Sequence, residues 1–153
     1  MWVIGVKGVT AFGSNVTMAH LPASDESLLV RTYFADPSGW DSASTSAQAE
    51  NADGFRAYTR LVEDRAWEGA DWEALRRAGR EPGRHAAVLF VIDQEVLTDP
   101  FPVLVVDLSD DARRPFRCVA AELWGVDNNL NIANMDWDEF AGSVGPHGLF
   151  EGF

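Results

Sequence analysis

The chain has 153 residues, enough for one sizeable hydrophobic core and too few for two. An apolar fraction of 46% and a charged fraction of 24% exclude a wholly disordered polymer, and a net charge of −12 repels nucleic-acid phosphates. The single Cys118 excludes an internal disulfide and a cysteine-rich zinc site, and no run reaches the ~18 apolar residues of a membrane-spanning helix.

Residues 1–17 lack the basic start and long apolar stretch of a signal peptide. They read as an N-terminal extension or edge segment, with Met18 able to serve as a second start and residues 18–153 forming the domain. "SLLVRTYF" (27–34) is β-branched and aromatic and predicts a first strand. Asp36 and Pro37 then supply a cap and first position for a helix running towards Glu50, with Trp40, Ala43 and Ala47 on its inner side. A second strand is expected over 55–64, with Phe55, Ala57 and Leu61 inward and Arg56 and Arg60 outward. Asp71 caps a short helix that Gly79 and Pro82 end.

The centre gives the clearest pattern. "AAVLFVID" (86–93) and "PVLVVDL" (102–108) are short Val-rich runs suited to strands covered on both faces, and "PFRCVA" (115–120) reads as a further strand, a hairpin partner. Cys118 lies within it, where a buried inert thiol is the default. The expected fold is a single α/β domain with a mixed, mostly buried sheet of about five strands flanked by short helices. A thioredoxin-like order fits loosely, but the CxxC motif is absent.

Charge is uneven along the chain. Residues 1–92 carry 12 acids and 9 bases, a net of −3, whereas residues 93–153 carry 12 acids and 3 bases, a net of −9. A partner steered by charge would be basic and would meet the second half, although acidity also serves solubility alone. Lys7 is the sole lysine, which leaves lysine-dependent chemistry almost no candidates.

"DNNLNIANMDWDEF" (127–140) concentrates amides, acids and an indole. As a calcium loop it places Asp127, Asn129 and Asn131 at the first three ligand positions, but Ile132 stands where glycine is required and Asp138 where a bidentate Glu is needed. As architecture it explains more. Leu123, Val126 and Leu130 recur at helical spacing, Asn131 and Asn134 would turn the chain, and Asp136 with Glu139 would open a second helix burying Trp137 and Phe140. Trp124, Asn128 and Asn129 are then left as candidate partner-binding residues, an indole ringed by amides.

"LPASDESLLVRTYF", "LFVIDQEVLTDPFPVLVVDL", "PFRCVAAELWGVDNNLNIANMDWDEFA" and the closing "GLFEGF" together resemble a family of small acidic actinobacterial proteins known only as a domain of unknown function. The resemblance spans about Leu21 to Phe153 and implies one intact domain. It implies no activity and brings no site residue with it.

Asp93 and Asp107 each close an apolar run. If their strands are adjacent and parallel, both carboxylates share the carboxyl edge, and with Asp110 and Asp111 they would form a Mg²⁺ site for a small metal-assisted enzyme. The plain alternative is an Asp ending a strand in a turn. His20, His85 and His147 are scattered, and no Ser lies in a nucleophile-elbow motif. With no cofactor motif and no coherent catalytic set, the expected function is a non-catalytic, cytoplasmic protein-binding module. It would take an unidentified basic protein in the manner of an immunity-like antagonist, with nucleic acid and membrane unfavoured as partners and homodimerisation a further interaction role.

Overall fold

A computed structural model describes residues 20–80 and 86–153. The expectations for residues 1–17, for Met18 and for His85 lie outside the described residues. Six strands form one sheet in the order β2-β1-β3-β4-β5-β6. They are β1 (Ser27–Arg31), β2 (Thr59–Val62), β3 (Val88–Ile92), β4 (Pro102–Asp107), β5 (Phe116–Val119) and β6 (Leu149–Phe150). β1 pairs in parallel with β2 and β3, β3–β4 and β4–β5 are antiparallel, and β6 joins β5 in parallel. The sheet is mixed, as expected, with one strand more than anticipated.

Among the described residues, four helices flank it: α1 (Pro37–Gln48), α2 (Trp72–Gly79), α3 (Leu123–Asn131) and α4 (Trp137–Ala141). α1 and α2 begin where local chemistry says they should. Asp36 accepts from the Gly39 amide and Asp71 from the Ala74 amide, each satisfying a donor that the helix leaves free. The chain leaves β1 towards β2 on one side, then steps back across β1 to β3. Two parallel crossovers of the same hand but opposite direction put α1 and α2 on opposite faces of the sheet.

Strand alternation then builds a core on each face. Leu29, Phe90, Ile92, Val103, Val105 and Cys118 meet Trp40, Ala43 and Ala47 of α1, Leu123, Val126 and Leu130 of α3, and Trp137 and Phe140 of α4. Leu28, Val30, Leu89, Val91 and Val106 meet Leu75 of α2, Trp67 and Leu21 on the other face. β3 is buried at every position, as its unbroken apolar run requires.

Three local expectations are corrected. Phe55 and Leu61 are 50% and 39% exposed, because β2 is the outer strand and only Val62 and the preceding Ala57 turn into the core. Asp136 sits at the N-cap of α4, yet its side chain makes no capping hydrogen bond; its carbonyl accepts the Glu139 amide instead. Asn131 does not turn the chain. The turn is made by the Asn129 carbonyl, which accepts the Asn134 and Met135 amides, with Ala133 at φ 55°.

Candidate functional site

The acids of the β3–β4 region separate as soon as strand direction is known. β3 and β4 are adjacent but antiparallel, and Val88 stands opposite Asp107. Asp93, which follows Ile92, is therefore at the other edge of the sheet, roughly 16 Å away at about 3.3 Å per strand residue. The premise of a shared Mg²⁺ site at Asp93, Asp107 and Asp110 fails. Each acid instead holds a guanidinium. Asp93 accepts two hydrogen bonds from Arg117 at 3.1 and 2.8 Å and caps the 3-10 turn after β3 through the Glu95 amide. Burial works to lower the Arg117 pKa, but the hydrogen bonds to Asp93 and the charges of Asp93 and Glu95 together outweigh it, so the group stays firmly charged.

Asp107 is buried, accepts the Ser109 amide and hydroxyl, and pairs with Arg113 at 3.1 Å. Asp110 approaches the same guanidinium at 3.8 Å, and Asp111 pairs with Arg80. Arg113 stands where a cation shared by Asp107 and Asp110 was expected. Arg76, 4% exposed, completes this corner by donating to the carbonyls of Asp107, Asp111 and Arg113.

The calcium-loop reading of 127–138 is likewise replaced. Asp127 and Asn131 lie one turn apart on α3, and Asp127 is 3% exposed. Its Oδ1 accepts from the Ser27 hydroxyl at 2.8 Å and from the Asn131 amide at 2.8 Å, and its Oδ2 accepts the Tyr58 backbone N–H at 2.9 Å. Asn131 also donates to Ser27 Oγ and accepts the Ala87 amide. This network fastens α3 to the entries of β1, β2 and β3. Burial pushes the Asp127 carboxyl above its ordinary range, against the pull of its three donors.

Of the candidate partner residues, Asn129 is used internally. Its side chain donates to the Gly125 carbonyl and accepts from Asn134. Asn128 reaches the Arg56 carbonyl at 3.4 Å. Trp124 is half-buried beneath Phe55, whose ring lies 5.1 Å from the indole at an interplanar angle of 15°. The Trp124 Nε1 is buried and meets no acceptor among the described residues.

Next to this stack, four separate segments enclose a groove of about 500 Å³. The end of α1 gives Ser46 and the loop after it Ala49, Glu50 and Asn51; the loop into β4 gives Asp99 to Phe101, the end of β5 and the turn before α3 give Val119 to Glu122, and Glu151 follows β6. Pro100, Phe101, Val119 and Ala120 make it partly apolar, and the Pro100 carbonyl accepting the Ala120 amide ties two of its walls together. Glu50, Asp99, Glu122 and Glu151 are its charged side chains, and no basic residue among the described residues lines it. None of these four acids makes an ion pair among the described residues. The groove was not singled out from the sequence. Its only advance signal was the excess of acid after residue 92.

A mixed six-stranded sheet with a core on each face defines a three-layer α/β domain, and an acid-rimmed groove opens on its surface. The chain belongs to a family described as a domain of unknown function (DUF6924), whose model matches residues 26–153. A comparison with curated proteins returns no match. Among the described residues, no helix is long and apolar enough to cross a membrane.

Proposed function

We propose that this protein is a non-catalytic, protein-binding module that captures a basic segment of a partner protein in the acidic groove, as an antagonist of a basic effector in a reducing, cytoplasmic setting. One observation carries the reading: the four groove acids have no guanidinium partners among the described residues, whereas Asp93, Asp107, Asp110 and Asp111 each approach one. Unpaired carboxylates lining a concave, partly apolar wall attract and orient cationic side chains, and net negative charge speeds their encounter.

Calorimetric titration of hexa-arginine at near-physiological salt tests it. Glu50→Gln combined with Glu151→Gln should lose most of the affinity. Glu73→Gln combined with Glu139→Gln, which removes the same charge elsewhere, should lose little. Equal losses in the two double variants would mean that net charge alone attracts the peptide and that the groove is no site.

A further inference from the structure

Phe55 is half-exposed, yet it covers an indole whose own N–H is buried without an acceptor among the described residues. A buried donor left unmade disfavours the arrangement that buries it. The loop carrying Phe55 is rigid within itself. Asn51 accepts the Asp53 and Phe55 amides on its side chain, donates its own N–H to the Phe55 carbonyl, and accepts the Gly54 amide on its carbonyl, with Gly54 at φ 84°. Its fastening to the rest of the molecule is weak by comparison. Residues 52–56 are exposed, and they meet α3 through the Phe55–Trp124 stack and the 3.4 Å bond from Asn128 to the Arg56 carbonyl. The firm anchorage begins only at Ala57, 1% exposed, and at the Tyr58 amide held by Asp127. Asn51, at the other end of the loop, is itself part of the groove wall.

Resting on the groove reading above, we infer that residues 51–56 form a movable flap and that an arginine side chain of the partner replaces the Phe55 ring on Trp124. The flap is a preformed turn between two fixed points, so it can swing as a unit without losing its internal hydrogen bonds. When it lifts, the groove wall at Asn51 and the cover over Trp124 move together, joining the indole face to the acidic cavity. A guanidinium suits the vacated place. It is planar like the phenyl ring it displaces, stacks on indole, and is more weakly hydrated than an ammonium. Glu50 at the flap's hinge and Glu122, two residues before Trp124, supply the counter-charge. Lysine, a compact point charge, would use the groove acids but gain less from the indole.

The test uses the full chain with hexa-arginine and hexa-lysine as probes, read by calorimetry and by amide hydrogen exchange over residues 51–56. Wild type should bind hexa-arginine more tightly than hexa-lysine, and binding should speed exchange in the flap. Phe55→Ala removes the competing ring from the surface, and should tighten hexa-arginine by about threefold to tenfold while hardly changing hexa-lysine. Trp124→Leu should erase the arginine preference, with the circular dichroism melting curve checking that it folds. If both peptides bind the groove but Phe55→Ala leaves their affinity ratio unchanged, or flap exchange does not respond, the flap inference is wrong and the groove reading survives. If neither peptide binds wild type, both fall.

Discussion

At the turn between β4 and β5, Asp107 and Asp110 share Arg113, Asp111 meets Arg80, and Arg76 ties three backbone carbonyls beneath them. At the groove, Glu50, Asp99, Glu122 and Glu151 gather with no guanidinium from the described residues among them. Both regions are acid-rich, but folding neutralises the first and leaves the second open. An acid whose charge is met inside the fold holds structure together; an acid without a partner keeps its potential available to something outside. That difference, more than net charge, is what the proposed function rests on.

The contrast can be broken most forcefully at Arg76. Its removal strands three carbonyl acceptors beneath the turn and leaves Asp107 buried at its edge, so Arg76→Ala should cost about 3 kcal/mol in urea unfolding. Arg76→Lys should restore only part, because an ammonium cannot reproduce the guanidinium fork. A variant as stable as wild type would show that the turn needs no such tie.

Asp127 comes next. An asparagine there presents an NH₂ group either to Asn131 or to the Tyr58 amide, both donors, so Asp127→Asn should lose about 1–3 kcal/mol. The protonated acid avoids this conflict, since its O–H can donate to Ser27 Oγ while a lone pair still accepts from Asn131. The pH dependence follows from the raised carboxyl pKa. The stability that the neutral form contributes is full below the ordinary carboxylate value and is lost as pH climbs through the raised native value. Wild type should therefore lose stability relative to Asp127→Asn across that window, so the gap between their urea midpoints narrows as pH rises. A constant gap would contradict a carboxyl that retains its proton more readily in the folded state.

A smaller loss, about 1 kcal/mol, is expected for Asp93→Asn, which weakens a partly exposed bidentate pair with Arg117. Smallest of all is the effect of Glu50→Gln with Glu151→Gln on folding. These side chains support no ion pair among the described residues, so the urea midpoint should stay put or rise slightly as self-repulsion eases. A clear fall would place them with the structural acids.

Much of the fold was legible because its signals are local. Asp36 and Asp71 cap helices within three residues, and the runs around Phe90 and Val105 are apolar enough to be strands wherever they pair. What failed depends on distant partners. Whether Asp93 and Asp107 converge is a question of strand direction, which neither run encodes. Asn131 read as a turn former, yet besides Asp127 its partners are Ser27 and Ala87, 104 and 44 residues away. β6 is two residues long and exists because β5 offers it an edge. Phe55 looked like an inward strand residue, but β2 begins only at Thr59, and the ring found Trp124 across the chain instead. Trp124 was singled out as a candidate partner-binding residue, but its cover by Phe55 was not foreseen. The groove draws its acids from four segments spanning Glu50 to Glu151, and no local pattern announces such an assembly.

Residue-resolved chemical-shift mapping with hexa-arginine puts the central contrast to its most direct trial. The open acids predict that the largest amide shifts cluster at residues 46–51, 99–101, 119–122 and 151, saturating together. Shifts centred instead on residues 107–113, or spread evenly over the acidic surface, would show that the unpaired carboxylates are not what this protein offers to a partner.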